Sequence, residues 1–193
     1  MKDIVIASNN KGKLNDFKVI FPDLNIIPIS DLVEDFDVDE TGTTFEANAK
    51  LKSLAGAKAV KKTVIADDSG LEVTALNNEP GVYSARYAGN DKDDNANIEK
   101  VLDKLGNETN RDARFVCVIS MTTPEGETKQ FRGELNGEIT LDKIGEEGFG
   151  YDPIFYVSEK NKTLAQMSAE DKNEISHRKK AIAQLQSYLE GEN

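Results

Sequence analysis

The run Ile4-Val5-Ile6-Ala7 is apolar at every position, and the polar stretch Ser8-Asn9-Asn10-Lys11-Gly12-Lys13 follows it directly. A strand with one wet face would alternate. An unbroken apolar run needs cover on both faces. Leu14, Phe17, Ile20 and Phe21 then recur at helical spacing, and Pro22 ends the helix. Strand, loop and helix in that order make half of a βαβ unit, so the chain must build a sheet with helices packed on it.

The remaining pattern extends this. Thr43-Thr44-Phe45-Glu46 fits a capping box, with Thr43 as the cap and Glu46 reaching back to it. Ala47, Leu51, Leu54 and Ala55 follow as the expected buried stripe, while Phe45, Asn48 and Lys52 fall on a different face. Residues 64–66 read as a buried strand ending in Asp67-Asp68-Ser69-Gly70, and Leu71, Val73 and Ala75 alternate as in a half-buried strand. Ile98, Val101, Leu102 and Leu105 mark a third helix. Residues 115–121 and 129–135 flank the turn Pro124-Glu125-Gly126 as a hairpin. A short strand over 154–157 and a terminal helix carrying Ile182, Leu185 and Leu189 complete the order. The expected class is α/β or α+β around one long mixed sheet, with residues 1–193 as a single domain.

Charge and rare residues exclude several functions. Lys and Arg number 24 against 35 Asp and Glu, a net charge of −11, which repels polyanions at long range. Duplex nucleic acid and anionic membranes are therefore not expected partners. No apolar run approaches the ~20 residues needed to span a bilayer, and the chain reads as cytoplasmic. Cys117 is the one cysteine and His177 the one histidine, which excludes a disulfide framework, a Cys-based zinc site and a two-histidine metal site.

Four places could carry chemistry. At the first strand-to-helix junction the common NTPase phosphate loop fails, because Ala7 and Leu14 stand where it needs Gly and Ser or Thr. The free backbone N–H groups of such a junction still favour an anion, and Lys13 would add a charge-assisted contact. The alternative is a polar loop with solvated lysines. Asp67 and Asp68 repel each other unless a cation or donors sit nearby, and Mg²⁺ takes one or two carboxylates plus substrate phosphates; the alternative is an Asx turn or cap. Of the acidic residues Glu34, Asp35, Asp37, Asp39 and Glu40, Glu40 is best placed to help hold a metal. Glycines on both sides of Phe149, in Gly148-Phe149-Gly150-Tyr151-Asp152-Pro153, leave its ring open for stacking on a base, or else bury it in a tight turn. Ser176-His177-Arg178, with Lys172 shortly before, supplies donors for carbonyl oxygens.

These segments, with Gly81-Val82-Tyr83-Ser84-Ala85-Arg86-Tyr87-Ala88-Gly89 between them, occur in order across nearly the whole chain. Together they resemble the inosine/xanthosine triphosphate pyrophosphatase family. The resemblance implies Mg²⁺-dependent hydrolysis of aberrant purine nucleoside triphosphates (ITP, dITP, XTP) to monophosphate and pyrophosphate. It also implies an elongated two-lobed α/β fold with a central cleft, and a homodimer. Position by position, it implies that Ser8, Asn9, Asn10, Lys11, Gly12 and Lys13 bind the triphosphate. Asp68 would be metal ligand and general base, with Glu40 as a further ligand, while Lys52 lies near the phosphates and Ser69 contacts substrate. Phe149, Gly150, Tyr151 and Asp152 would hold the base, Phe149 by stacking, and Lys172, His177 and Arg178 would read its edge. The rival readings are a pyrophosphatase for modified pyrimidine nucleotides and a catalytically inert nucleotide-binding regulator.

Overall fold

The structure is a computed structural model that describes residues 2–8 and 10–191. Asn9, expected in the phosphate loop, lies outside the described residues. Strands β1 (Lys2–Ile6), β2 (Leu24–Pro28), β3 (Val64–Val73), β4 (Glu79–Pro80), β5 (Asp112–Thr122), β6 (Thr128–Ile139), β7 (Phe155–Val157) and β8 (Lys162–Thr163) form one sheet. Its order is β2-β1-β3-β5-β6-β7-β8, with β4 beside β3. β1 runs parallel to β2 and to β3, whereas β6, β7 and β8 pair antiparallel. The sheet is therefore mixed, as the alternation of elements requires. Helices α1 (Lys11–Ile20), α2 (Phe45–Val60), α3 (Asp94–Leu105), α4 (Ala169–Ile175) and α5 (His177–Glu190) flank it.

The chain forms two compact units. The first takes the described residues up to Asp68, Val118–Arg132, and those from Ile182 onward; the second takes Ser69–Cys117 and Gly133–Ala181. In the first, Ile4, Val5 and Ile6 are buried, as the apolar run demanded, and so are Val64, Ile65 and Ala66 beside them.

Helix α2 corrects the expectation twice. Its cap is Thr44, whose Oγ1 accepts the Ala47 N–H at 3.1 Å, and not Thr43. Glu46 does not reach back but pairs with Arg132 at 2.6 Å. The buried face is Phe45, Asn48, Ala49, Ser53, Gly56 and Ala57, whereas Leu51, placed in the expected stripe, is 36% exposed. The reason is close approach: a Cβ on Gly56 would lie 2.8 Å from Val64 Cγ1, so only small residues fit there. Ser53 Oγ meets Ser120 Oγ at 2.9 Å and Thr122 Oγ1 at 2.8 Å, which satisfies hydroxyls that burial would otherwise penalise.

β3 is also longer than expected. It runs unbroken through Asp67, Asp68, Ser69 and Gly70 to Val73, so the aspartates sit within a strand rather than at its end. In the second unit Leu71, Val73, Ile98, Val101, Phe155 and Leu164 share one core. Gly133 of β6 is fixed by packing, since a Cβ there would fall 2.0 Å from the His177 carbonyl oxygen at the start of α5. Cys117 is fully buried in β5.

Candidate active site

In the first unit, the loop leaving β1 turns into α1 at Asn10. The Asn10 side chain accepts the Lys13 N–H at 3.1 Å as the helix cap, and its own N–H donates to Ser8 Oγ at 3.2 Å. Lys11 and Gly12 are exposed in the first turn of α1, where helix N–H groups are without intrahelical partners. Lys13 Nζ reaches back to Asp67 Oδ2 at 2.6 Å.

Successive side chains of a strand point to opposite faces, so Asp67 and Asp68 do not act as one pair. Asp67 meets Lys13 of α1, while Asp68 meets α2 and the segment before it. Burial pushes the Asp68 carboxyl up to about 6 from an ordinary 3.8; the charge of Glu40, and weakly that of Asp67, add to the rise, while Lys52 and a hydrogen bond from Asn48 oppose it. Lys52 Nζ also lies 3.5 Å from Glu40 Oε2. Glu34, Asp35, Asp37 and Asp39 are exposed, as a solvated acidic loop would be. The carboxylate that accompanies Asp68 is thus Glu40, from a distant part of the sequence.

Among the described residues there is no group of three or more His, Cys, Asp or Glu able to hold a metal ion. Glu40 and Asp68 alone fit a hard cation that completes its shell with water and phosphate oxygens, as Mg²⁺ does. Their mutual repulsion is itself relieved by such a cation.

In the second unit, Gly148 takes a φ of +78°, and a Cβ there would lie 2.1 Å from Asp152 Oδ2. The resulting turn leaves the Phe149 ring 74% exposed, so it is not a core aromatic. Asp152 is buried beneath it; its Oδ2 accepts the Phe149 N–H at 3.1 Å and pairs with Lys172 Nζ. The same ammonium lies 4.6 Å from the Phe149 ring centroid. Tyr151 is buried, and its hydroxyl donates to the Ser84 carbonyl at 2.6 Å, while Gly150 N–H donates to Asp94 Oδ2 at 2.8 Å. His177 opens α5 with its ring stacked on Phe115, centroids 5.1 Å apart, and half-buried Arg178 follows it. Ser69 is half-buried in β3.

The structure thus brings together Glu40, Lys52 and Asp68, and separately Phe149, Asp152 and Lys172. Sequence reasoning missed four supporting residues: Asn48, Ser84, Asp94 and Phe115. Asn48 carried a signal by sharing a helical face with Lys52 four positions on, and Ser84 by lying in the motif over residues 81–89.

A profile of the Ham1 family matches residues 4–188. A dITP/XTP pyrophosphatase of Staphylococcus aureus is 68% identical over 192 residues, covering 100% of this chain and 98% of the relative. One of Staphylococcus epidermidis is 62% identical with the same coverage. Among solved structures, the Staphylococcus aureus Ham1 protein matches with a TM-score of 0.97 at 68% identity, over 100% of both chains. A HAM1 protein of Coxiella burnetii matches at 0.95 and 40% identity, over 99% of this chain and 100% of the other. With a family profile spanning nearly all of its length and relatives this similar from end to end, the chain belongs to the Ham1 family.

Proposed function

We propose that residues 1–193 act as one nucleoside triphosphate pyrophosphatase domain, hydrolysing ITP, dITP and XTP to the monophosphate and pyrophosphate and so clearing them from the nucleotide pool. The observation that carries this reading is the buried Asp68 carboxyl set beside Lys52 and Glu40. A carboxylate so placed can take a proton from a water held beside the phosphates, as a general base does. The names of the relatives in both staphylococci support the same reaction.

Each residue then has a task. Ser8, Asn9, Asn10, Lys11, Gly12 and Lys13 bind the triphosphate through the α1 N-terminus and the Lys13 ammonium. Lys52 neutralises further phosphate charge. Asp68 takes the proton from the attacking water. Glu40 and Asp68 would hold Mg²⁺, which would supply further charge neutralisation on the phosphates. Phe149 stacks on the base, and Gly150, Tyr151 and Asp152 hold the turn that presents it. Lys172, His177 and Arg178 donate to the base edge, and Ser69 contacts substrate.

Selectivity against adenine follows from donors, and selectivity against guanine, which shares the 6-keto group, from fit around its 2-amino group. Hypoxanthine and xanthine present a keto acceptor at position 6, where adenine presents an amino donor. Setting that amino group against the donors leaves polar groups unsatisfied, at ~1–3 kcal/mol each. The working unit is a cytoplasmic homodimer; consistent with a location off the membrane, no helix among the described residues is long and apolar enough to cross one.

The test is product analysis on ITP, dITP, XTP, ATP and GTP with and without Mg²⁺, with Asp68→Asn alongside. Monophosphate and pyrophosphate from the first three, only with Mg²⁺ and not with Asp68→Asn, is the expected result. Orthophosphate release or equal use of ATP overturns the bond choice or the donor argument. Binding without turnover points to an inert regulator.

A further inference from the structure

We infer that Asn48 is a positioning residue for Asp68, aiming its carboxylate and holding the Glu40 segment against it; the inference rests on the reading of Asp68 as the base. Asn48 lies in the first turn of α2 and is 1% exposed, so every polar atom of its amide needs a partner. Its Oδ1 accepts the Gly42 N–H at 2.7 Å. With the oxygen so engaged, the NH₂ group is what remains, and it donates to Asp68.

The fit on the Gly42 side is tight, since a Cβ on Gly42 would fall 2.6 Å from Asn48 Oδ1. Gly42 stands two residues after Glu40, so one amide ties the segment bearing the second carboxylate to the first. Lys52, on the same face of α2, holds Glu40 from the other direction at 3.5 Å. A purely structural Asn48 would need only to satisfy the Gly42 N–H, which any acceptor of the same shape does. The donor half of the amide is used at Asp68.

Asn48→Asp separates the two roles, because it keeps the acceptor for Gly42 and removes the donor. Asn48→Ala removes both. In each, kcat for ITP at saturating Mg²⁺ is expected to fall by about 10- to 100-fold while KM stays within about threefold. Mg²⁺ affinity, measured by calorimetry on the nucleotide-free protein, is expected to move by more than about threefold, weakening in Asn48→Ala. A folded variant with wild-type kcat and Mg²⁺ affinity, or a loss confined to KM, overturns the inference. The wild-type chain gives a check that needs no substitution: its Asn48 side-chain amide resonance should shift on adding Mg²⁺, and an unmoved resonance overturns the inference. Asp68→Asn run in parallel separates the two levels. If that variant turns over ITP normally, the reading of Asp68 itself fails. If it is inactive and the Asn48 variants are as fast as wild type, only the role of Asn48 fails.

Discussion

Ionising Asp68 in the folded, metal-free chain takes a pH of about 6, against 3.8 for the ordinary side chain, mainly because the carboxyl is buried. The folded state therefore binds this proton more tightly than the unfolded state does. The stability so gained is fully present below pH 3.8 and is lost as pH rises through about 6. A shift of this size corresponds to about 3 kcal/mol. Urea unfolding of the metal-free wild type and of Asp68→Asn should diverge across that window, the wild type losing stability relative to the variant as pH rises. Parallel curves would show an ordinary carboxyl. The same substitution that is expected to abolish turnover should thus stabilise the apo-protein at neutral pH, and Mg²⁺ should narrow the gap. The family resemblance singled out Asp68 and Lys52, and Glu40 stood out by its place just before the Thr-capped helix; the three lie together in the fold. The residue pattern alone paired Asp68 with its neighbour Asp67, which the strand pleat turns toward Lys13, whereas Glu40 is the carboxylate that stands with Asp68.

Elements were read well where burial is apolar and poorly where it is not. β1 announced itself through Ile4, Val5 and Ile6, and α3 through Ile98, Val101 and Leu105, all buried. α2 misled because its inner face is built of Asn48, Ser53 and Gly56, which a hydrophobicity pattern ranks below Leu51. Hydroxyls here do the packing: Ser53 meets Ser120 and Thr122, and Thr122 Oγ1 meets Thr128 Oγ1 at 2.9 Å. Replacing Ser53 by Ala keeps the shape but for the hydroxyl and strands its partners, at a cost of about 2 kcal/mol. Urea denaturation reads this directly, and an unchanged midpoint would mean that the neighbouring hydroxyls satisfy one another. The unbroken run of β3 through the aspartates escaped for a related reason, since Asp, Ser and Gly are poor strand formers held there by their neighbours.

At the scale of the molecule, the mixture of strands and helices was legible but the strand order was not. Placing β5 beside β3 and β2 outside β1 depends on contacts between residues far apart in sequence, which no local pattern records. The net charge of −11 is legible without any fold. It predicts that the fluorescence anisotropy of labelled duplex DNA stays flat as protein is added, even at low salt. A saturable rise would reveal a basic surface that the sum conceals.

The burial of Cys117 has a further consequence. Among the described residues every sulfur is shielded: Cys117 is 0% exposed, Met121 5% and Met167 4%. Keto purines such as hypoxanthine and xanthine arise when electrophilic nitrogen reagents strip amino groups from normal bases, and the same reagents, like the peroxides that accompany them, attack accessible thiols and thioethers. A catalyst that removes the products of such damage has most to do while the damaging agents are present. With the sulfurs of its described residues buried in β5 and the cores, the protein is expected to lose less activity on exposure to such reagents than a catalyst with an open thiol.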